Sequence, residues 1–340
     1  MKTPILAAGF TCLASFASAE TPVLPELPVL PELPVLNVLT YDSFVSEWGP
    51  GPAIETGFEA ECACDLVFTG SGDGAALMAR LQLEGAATKA DVVLGLDTSL
   101  TAQATTTGLF TPHGQTAPTG LPVAFDDPLF LAYDWGWFAF VYDTTKLATP
   151  PASFKELAAS DLKIIIQDPR SSTPGLGLLL WVKAVYGEAA AEIWAALADN
   201  IVTVTPGWSE AYGLFLEGEA DLVLSYTTSP AFHLIAEGDA TKAAARFDEG
   251  HYLQVEVMGK LKATDQSGLA DQFLRYMLSD AAQTALITTN WMYPAMPPAS
   301  GLPAGFETLI TPEKSLLMSA EEAQALRAPA LDEWRATLSR

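Results

Sequence analysis

The sequence predicts an α/β fold of open sheets with helices on both faces, and three observations carry that reading. Strand-like apolar runs alternate with helical ones along most of the chain. Its 340 residues suit two lobes of ordinary size, at roughly 100 to 200 residues per domain. Hydrophobic residues make up 49% and charged ones 17%, enough to fill a core and too apolar for a disordered chain.

In chain order, VLNVLTY (35–41) and DLVFTG (65–70) read as strands, and GAALMARLQLEG (74–85) as the helix that follows. DVVLGLD (91–97) and WFAFVYD (137–143) are the next strands. A helix over 153–162 opens on Ser153 and Glu156, spaced as a capping box. KIIIQD (163–168) leads into helices over 176–187 and 189–200, and IVTVTP (201–206) into one over 209–219. DLVLSY (221–226), YLQVEVMG (252–259) and a helix over 268–280 complete the pattern. Open α/β sheets bind ligands beyond the carboxyl ends of their strands, so those ends are where chemistry is sought.

The start of the chain reads as an address. Residues 1–19 carry Lys2, an apolar stretch and Ala17-Ser18-Ala19, the small-x-small form of a signal-peptide cleavage site, so export is expected. The stretch is too short and too interrupted for a membrane span, which needs about 20 apolar residues. Cys12 lacks the preceding residues of a lipoprotein site. Residues 20–36 read as a proline-rich linker, because PVLPEL recurs from residue 22 and proline fixes φ at every third position. Beyond it only Cys62 and Cys64 remain as cysteines; whether they pair is open, since so short a loop strains disulfide geometry. No metal site is expected, because no second cysteine pair exists and His113, His233 and His251 show no ligand spacing.

Lysine and arginine number 17 against 41 aspartates and glutamates, a formal charge of −24. Phosphate backbones and anionic lipid surfaces repel such a chain, which argues against nucleic-acid and membrane partners and for a cationic or neutral small one.

Polar and aromatic residues gather at three strand ends. Tyr41-Asp42-Ser43-Phe44, with Trp48 soon after, follows the first strand; QDPRSSTPGLG (167–177) follows the fifth; Tyr226-Thr227-Thr228-Ser229-Pro230 follows the seventh. Ser171, Ser172 and Thr173 before Pro174 place hydroxyls and free N–H groups at a helix start, which suits either an anion or ordinary capping. GSGDGA (70–75), with Asp97 later, imitates a dinucleotide fingerprint, weakened by an extra glycine, a long spacing and the export signal. GWSEA (207–211) falls short of a nucleophile elbow, so Ser209 is expected to be a helix N-cap. Tyr41, Trp48, Tyr133, Trp135, Trp137, Trp208, Tyr212, Tyr226, Trp291 and Tyr293 lie near strand ends and loops. Electron-rich faces on an acidic protein suit a flat aromatic cation, at about 0.5 to 2 kcal/mol per ring.

These residues bring a family into view. TYDSF…WGPGP (40–52), FEAECAC (58–64), GDG (72–74), KADVVLGLD (89–97), QDPRSSTPGLGLLLW (167–181), VTVTPGWSEAYGLFLEGEADLVLSYTTSPAFH (202–233), EGHYLQVEV (249–257) and NWMYPAM (290–296) together resemble the periplasmic thiamine-binding proteins of ABC importers. The collinear match runs from about Thr40 to Arg340. The resemblance implies a two-lobed type II solute-binding fold without catalysis or cofactor, its ligand being thiamine, thiamine monophosphate or thiamine diphosphate. It implies a monomer that delivers this small molecule to an importer permease.

On that resemblance one lobe takes 37–132 and 257–340, the other 137–250, with hinge crossings at 133–136 and 251–256. The family's ligand contacts fall on Asp73, Gly74, Ser172, Thr173, Trp208, Tyr226, Thr227, Thr228 and Ser229, with Tyr41 and Trp48 as further walls. Trp208 and Tyr226 are expected to stack on the rings, Asp73 to meet the aminopyrimidine or the cation, and the hydroxyls to hold the hydroxyethyl or phosphate end. Phe232 departs from the relatives' tyrosine, and YDWGW (133–137) from their FDYGY. A thiamine-degrading transferase on a similar scaffold is the alternative, with Cys62 or Cys64 as its thiol.

Overall fold

A computed structural model describes residues 33–338. The expected signal peptide, Cys12 and the proline repeat as far as Glu32 lie outside the described residues. Val35 and Leu36, drawn above as the end of the linker, belong to the first strand.

Strand β1 (Val35–Thr40) is followed by α1 (Asp42–Val45), α2 (Gly51–Cys62), β2 (Asp65–Gly70), α3 (Gly74–Glu84), β3 (Val92–Asp97) and α4 (Thr101–Thr106). The long β4 (Leu131–Asp143) leads to α5 (Phe154–Ala158), β5 (Ile164–Gln167), α6 (Thr173–Tyr186), α7 (Ala190–Leu197), β6 (Ile201–Thr205), α8 (Trp208–Glu217), β7 (Leu222–Tyr226) and α9 (Pro230–Phe232). Then come β8 (Lys242–Ala244), β9 (His251–Lys260), α10 (Ser267–Met277), α11 (Asp280–Thr289), the short strands β10 (Tyr293–Pro294) and β11 (Ser315–Leu316), and α12 (Ala320–Leu338).

The main strands lie in the order β2-β1-β3-β9-β4-β7-β5-β6. Burial follows that order. β3, β5 and β9 are buried at every position, β3 and β5 as mainly apolar runs and β9 together with its His251, Gln254, Glu256 and Lys260, while the outermost β2 and β6 alternate between the core and solvent. β4 ties the sheet together: Leu131 to Trp137 pair antiparallel with β9, and Phe138 to Tyr142 with β7. One half of the sheet therefore holds β1, β2, β3 and β9, and the other β5, β6 and β7.

The predicted cap of α5 is present. Ser153 Oγ accepts from the Glu156 N–H at 3.0 Å, and the Glu156 carboxylate accepts from the Ala152 N–H at 2.9 Å, one residue before the expected partner. Helix α6 is buried without interruption from Thr173 to Val182, so it needs cover on every side. Part of that cover comes from α12, which packs on α6 and α7 as well as on α4. The Lys183–Glu333 ion pair, 2.9 Å, joins α6 to α12. Cys62 and Cys64 form a disulfide at the end of α2, with Ala63 between them in the left-handed region at φ +50°.

Candidate functional site

A cavity of about 330 Å³ opens between the two halves of the sheet, at the strand ends where the polar and aromatic residues gather. The first half contributes Tyr41, Trp48 and Asp73; the second contributes Thr173, Trp208, Tyr226, Thr228 and Ser229.

Asp73 is the bridge between these halves. It caps the start of α3, yet its carboxylate points across the gap, where Oδ2 accepts from the Ser172 hydroxyl at 2.8 Å and from the Trp208 N–H at 3.1 Å. The starts of α6 and α8 thus converge on a carboxylate that the protein itself supplies, where their positive ends favour negative charge. Burial pushes the carboxyl up to about 6, against the pull of those two hydrogen bonds. Alongside, the Gly74 N–H donates to Thr173 Oγ1 at 3.0 Å, and the Ala76 N–H to the Ser171 carbonyl at 2.9 Å.

The walls are aromatic. Trp208 stacks on Tyr212 with ring centres 5.0 Å apart at 26°, and its indole N–H donates to Ser225 Oγ at 2.8 Å, which fixes the ring plane. Trp48 stands opposite, 6.1 Å from Trp208 and 55% exposed, so its faces are free on the rim. Tyr41 approaches so closely because residue 95 is glycine: a Cβ there would lie 2.2 Å from the tyrosine ring. Gly95 has φ +101° and sits in the β3–β9 bulge, which only glycine adopts without strain. Trp291, another wall residue, holds φ +56°, an uncommon conformation for a bulky side chain.

The floor is acidic. Glu256 on β9 lines the cavity, and its Oε2 takes the Tyr133 hydroxyl and lies 3.1 Å from that of Tyr41, while Oε1 accepts from Gln254 Nε2 at 2.8 Å. Asp134, beside it on β4, accepts from Asn290 Nδ2 at 2.7 Å. A bulge between Ala132 and Asp134 sets Tyr133, whose hydroxyl bonds Glu256, next to Asp134, the register partner of Glu256. Burial raises both carboxyls; each other's negative charge raises Asp134 further, and hydrogen bonds from Tyr133 and Tyr41 restrain Glu256. Among the described residues no lysine, arginine or histidine lines the cavity.

Three expected contacts stand behind the wall. Ser172 is fully buried with its hydroxyl committed to Asp73, Gly74 has its N–H committed to Thr173, and Thr227 is fully buried with its N–H donating to the Trp137 carbonyl. Ser209 is not a cap: Gly207 holds that position, and Ser209 lies in the first turn of α8 on the cavity. Neither nearby histidine is free to act as its base. His233 bonds Tyr212 and Glu237, and His251 bonds the Phe138 carbonyl and the Phe247 N–H. The acid of the dinucleotide lookalike, Asp97, is held by the N–H and hydroxyl of Ser99.

Sequence reasoning passed over Glu256 and Asn290 as site residues. The available signal was a glutamate between Val255 and Val257 within a strand-like run, a position that demands a partner or a ligand when buried.

Comparison with known proteins agrees with this geometry. A family model described as bacterial extracellular solute-binding protein matches residues 51–284. The chain is 53% identical over 306 residues to a thiamine-binding periplasmic protein of Salmonella typhimurium, covering 89% of this chain and 93% of that one. It is 52% identical over 306 residues to the protein of the same name from Escherichia coli, with the same coverage of each. A solved periplasmic thiamin binding protein superposes with a TM-score of 0.89 at 50% identity, covering 92% of this chain and 100% of that chain.

Proposed function

Because the chain belongs to the bacterial extracellular solute-binding protein family, we propose that it binds thiamine in the periplasm and delivers it to the permease of an ABC importer. The observation that carries the reading is the cavity itself: aromatic walls, an acidic floor and no cationic side chain, which together suit a flat ligand with a fixed positive charge. Trp208, Tyr226 and Tyr41 flank the rings, Trp48 covers them at the rim, and Thr173, Thr228 and Ser229 serve the hydroxyethyl arm. The monophosphate and diphosphate share the same rings, so the same walls hold them. Their anionic tails compete with Asp73 for the Trp208 N–H. The chain acts as a monomeric carrier, not as an enzyme. Cys62 and Cys64, the thiols a thiamine-degrading transferase needs, are joined to each other and lie off the cavity.

Mass spectrometry of small molecules released from the purified protein, followed by calorimetric titration with thiamine, tests this directly. Thiamine or an ester is the expected cargo. Trp208→Ala is expected to weaken binding tenfold or more, since the substitution removes both a stacking face and the anchor to Ser225. An unchanged affinity in that variant removes Trp208 from the site, and a wild-type protein that neither carries nor binds thiamine ends the proposal.

A further inference from the structure

The floor of the cavity holds something the walls do not need. Asp134 and Glu256 are buried as register partners on β4 and β9, and two carboxyls held this close with no cationic side chain lining the cavity disfavour double ionisation, so one of them carries a proton. Asp134 Oδ1 is buried with no N–H or hydroxyl donor, and so is Gln254 Oε1 next to it. Every group facing the pair is neutral or acidic. Tyr41 comes from the residue after β1, Tyr133 from β4, Gln254 from β9, Asn290 from the end of α11 and Tyr226 from β7; Asp97, at the end of β3, adds a further negative charge. Arg327 offsets Asp97 from the far side and does not line the cavity. Glu256 is the member of the pair that reaches the cavity, beside the hydroxyl of Tyr41.

We propose that the Asp134–Glu256 pair is a proton-loaded counter-charge, which holds a proton while the cavity contains no cation and releases it to solvent when a flat organic cation enters. The inference rests on the thiamine reading above and adds to it the group that senses the ligand's charge. A fixed positive charge against a buried carboxyl pair favours the ionised form, so the proton leaves as the cation arrives. The ligand then binds the deprotonated pair best. Affinity rises with pH across the range in which the empty pair titrates, and levels off above it.

Calorimetric titration of the mature protein with thiamine, at about pH 7 in Tris and again in PIPES, reads the released protons from the difference in apparent enthalpy. Roughly half to one proton per bound thiamine is expected, with affinity rising up to about tenfold per pH unit below the plateau. Glu256→Gln is expected to bind thiamine at least tenfold more weakly and to release no proton. Asp134→Asn keeps an acceptor for Asn290 and removes the second carboxyl, and is expected to retain its circular dichroism spectrum while the release shrinks; it carries the test if Glu256→Gln fails to fold. Wild-type protein that binds thiamine without releasing protons, or that takes them up, overturns the proposal and leaves the thiamine reading standing. Undiminished release in both variants overturns it as well. Failure of the wild type to bind thiamine removes the functional reading and the proposal together.

Discussion

Asp73 is held in an environment that disfavours its charge. Burial raises its carboxyl from the usual aspartate range to about 6, so at about pH 7 the ionised form weakens the fold by about 3 kcal/mol relative to a solvated aspartate. The sign follows from linkage. The folded state binds this proton more tightly than the unfolded chain does, so the stabilisation is full below the unfolded value and is lost as pH rises through about 6. Asp73→Asn removes the charge and keeps an acceptor for Ser172 or Trp208. Its melting temperature is expected to equal or exceed that of the wild type at about pH 7, with the advantage gone at about pH 4, in paired thermal melts. A variant several degrees less stable at neutral pH would mean that the two hydrogen bonds outweigh the burial. Asp73, Trp208 and Tyr226 were legible in the sequence because each sits at a strand end or a helix start, where the fold class already directs attention. Glu256 was not, because it lies inside a strand and not at a strand end; its role depends on what β4 brings beside it, and that pairing is a tertiary fact.

Among the elements, the strands were the more legible. Parallel and central strands are short apolar runs bounded by turn residues, and each expected run from 35 to 259 contains or overlaps an observed strand. The longest strand segment missed was the first half of β4, Leu131 to Gly136, where Asp134 and Gly136 interrupt the apolar pattern; that stretch serves the acidic floor and the crossing between halves. Helices α2, α11 and α12 went unread because their apolar stripes are thin. In α12 only Ala323, Ala330, Trp334 and Thr337 are buried, and Pro329 stands within the helix. That proline is exposed and cannot donate to the carbonyl one turn earlier. Pro329→Ala is therefore expected to stabilise the protein by about 1 to 3 kcal/mol, raising the calorimetric melting temperature by a few degrees. No rise would show that the packing of α12 over α6 and α7 uses the bend the proline imposes.

At the scale of the whole molecule, the contacts drawn between the α3 start and the second half are few and polar. Asp73 to Ser172, Asp73 to the Trp208 N–H, Gly74 to Thr173 and Ala76 to Ser171 are the hydrogen bonds that span the gap there. Each contributes roughly 0.5 to 1.5 kcal/mol, or about 1.5 to 3 where a charge takes part, which is the range in which a two-state equilibrium shifts rather than locks. A ligand held by walls from both halves adds its own contacts only to the closed arrangement, and so draws the population toward it. Scattering is the direct measure: the radius of gyration is expected to fall when thiamine is added, and superimposable profiles with and without it would exclude closure. Ser172→Ala separates closure from contact. Ser172 does not line the cavity, so a loss of affinity there cannot come from the ligand's own hydrogen bonds. A smaller closed fraction is the expected cause, because apparent affinity scales with the fraction competent to bind. Removing a charge-assisted bond of about 1.5 to 3 kcal/mol is expected to weaken thiamine binding by about tenfold, and at most about a hundredfold, and to enlarge the unliganded particle. If affinity falls while the scattering of the free protein stays the same, Ser172 acts through the orientation of Asp73 and not through the gap between the halves.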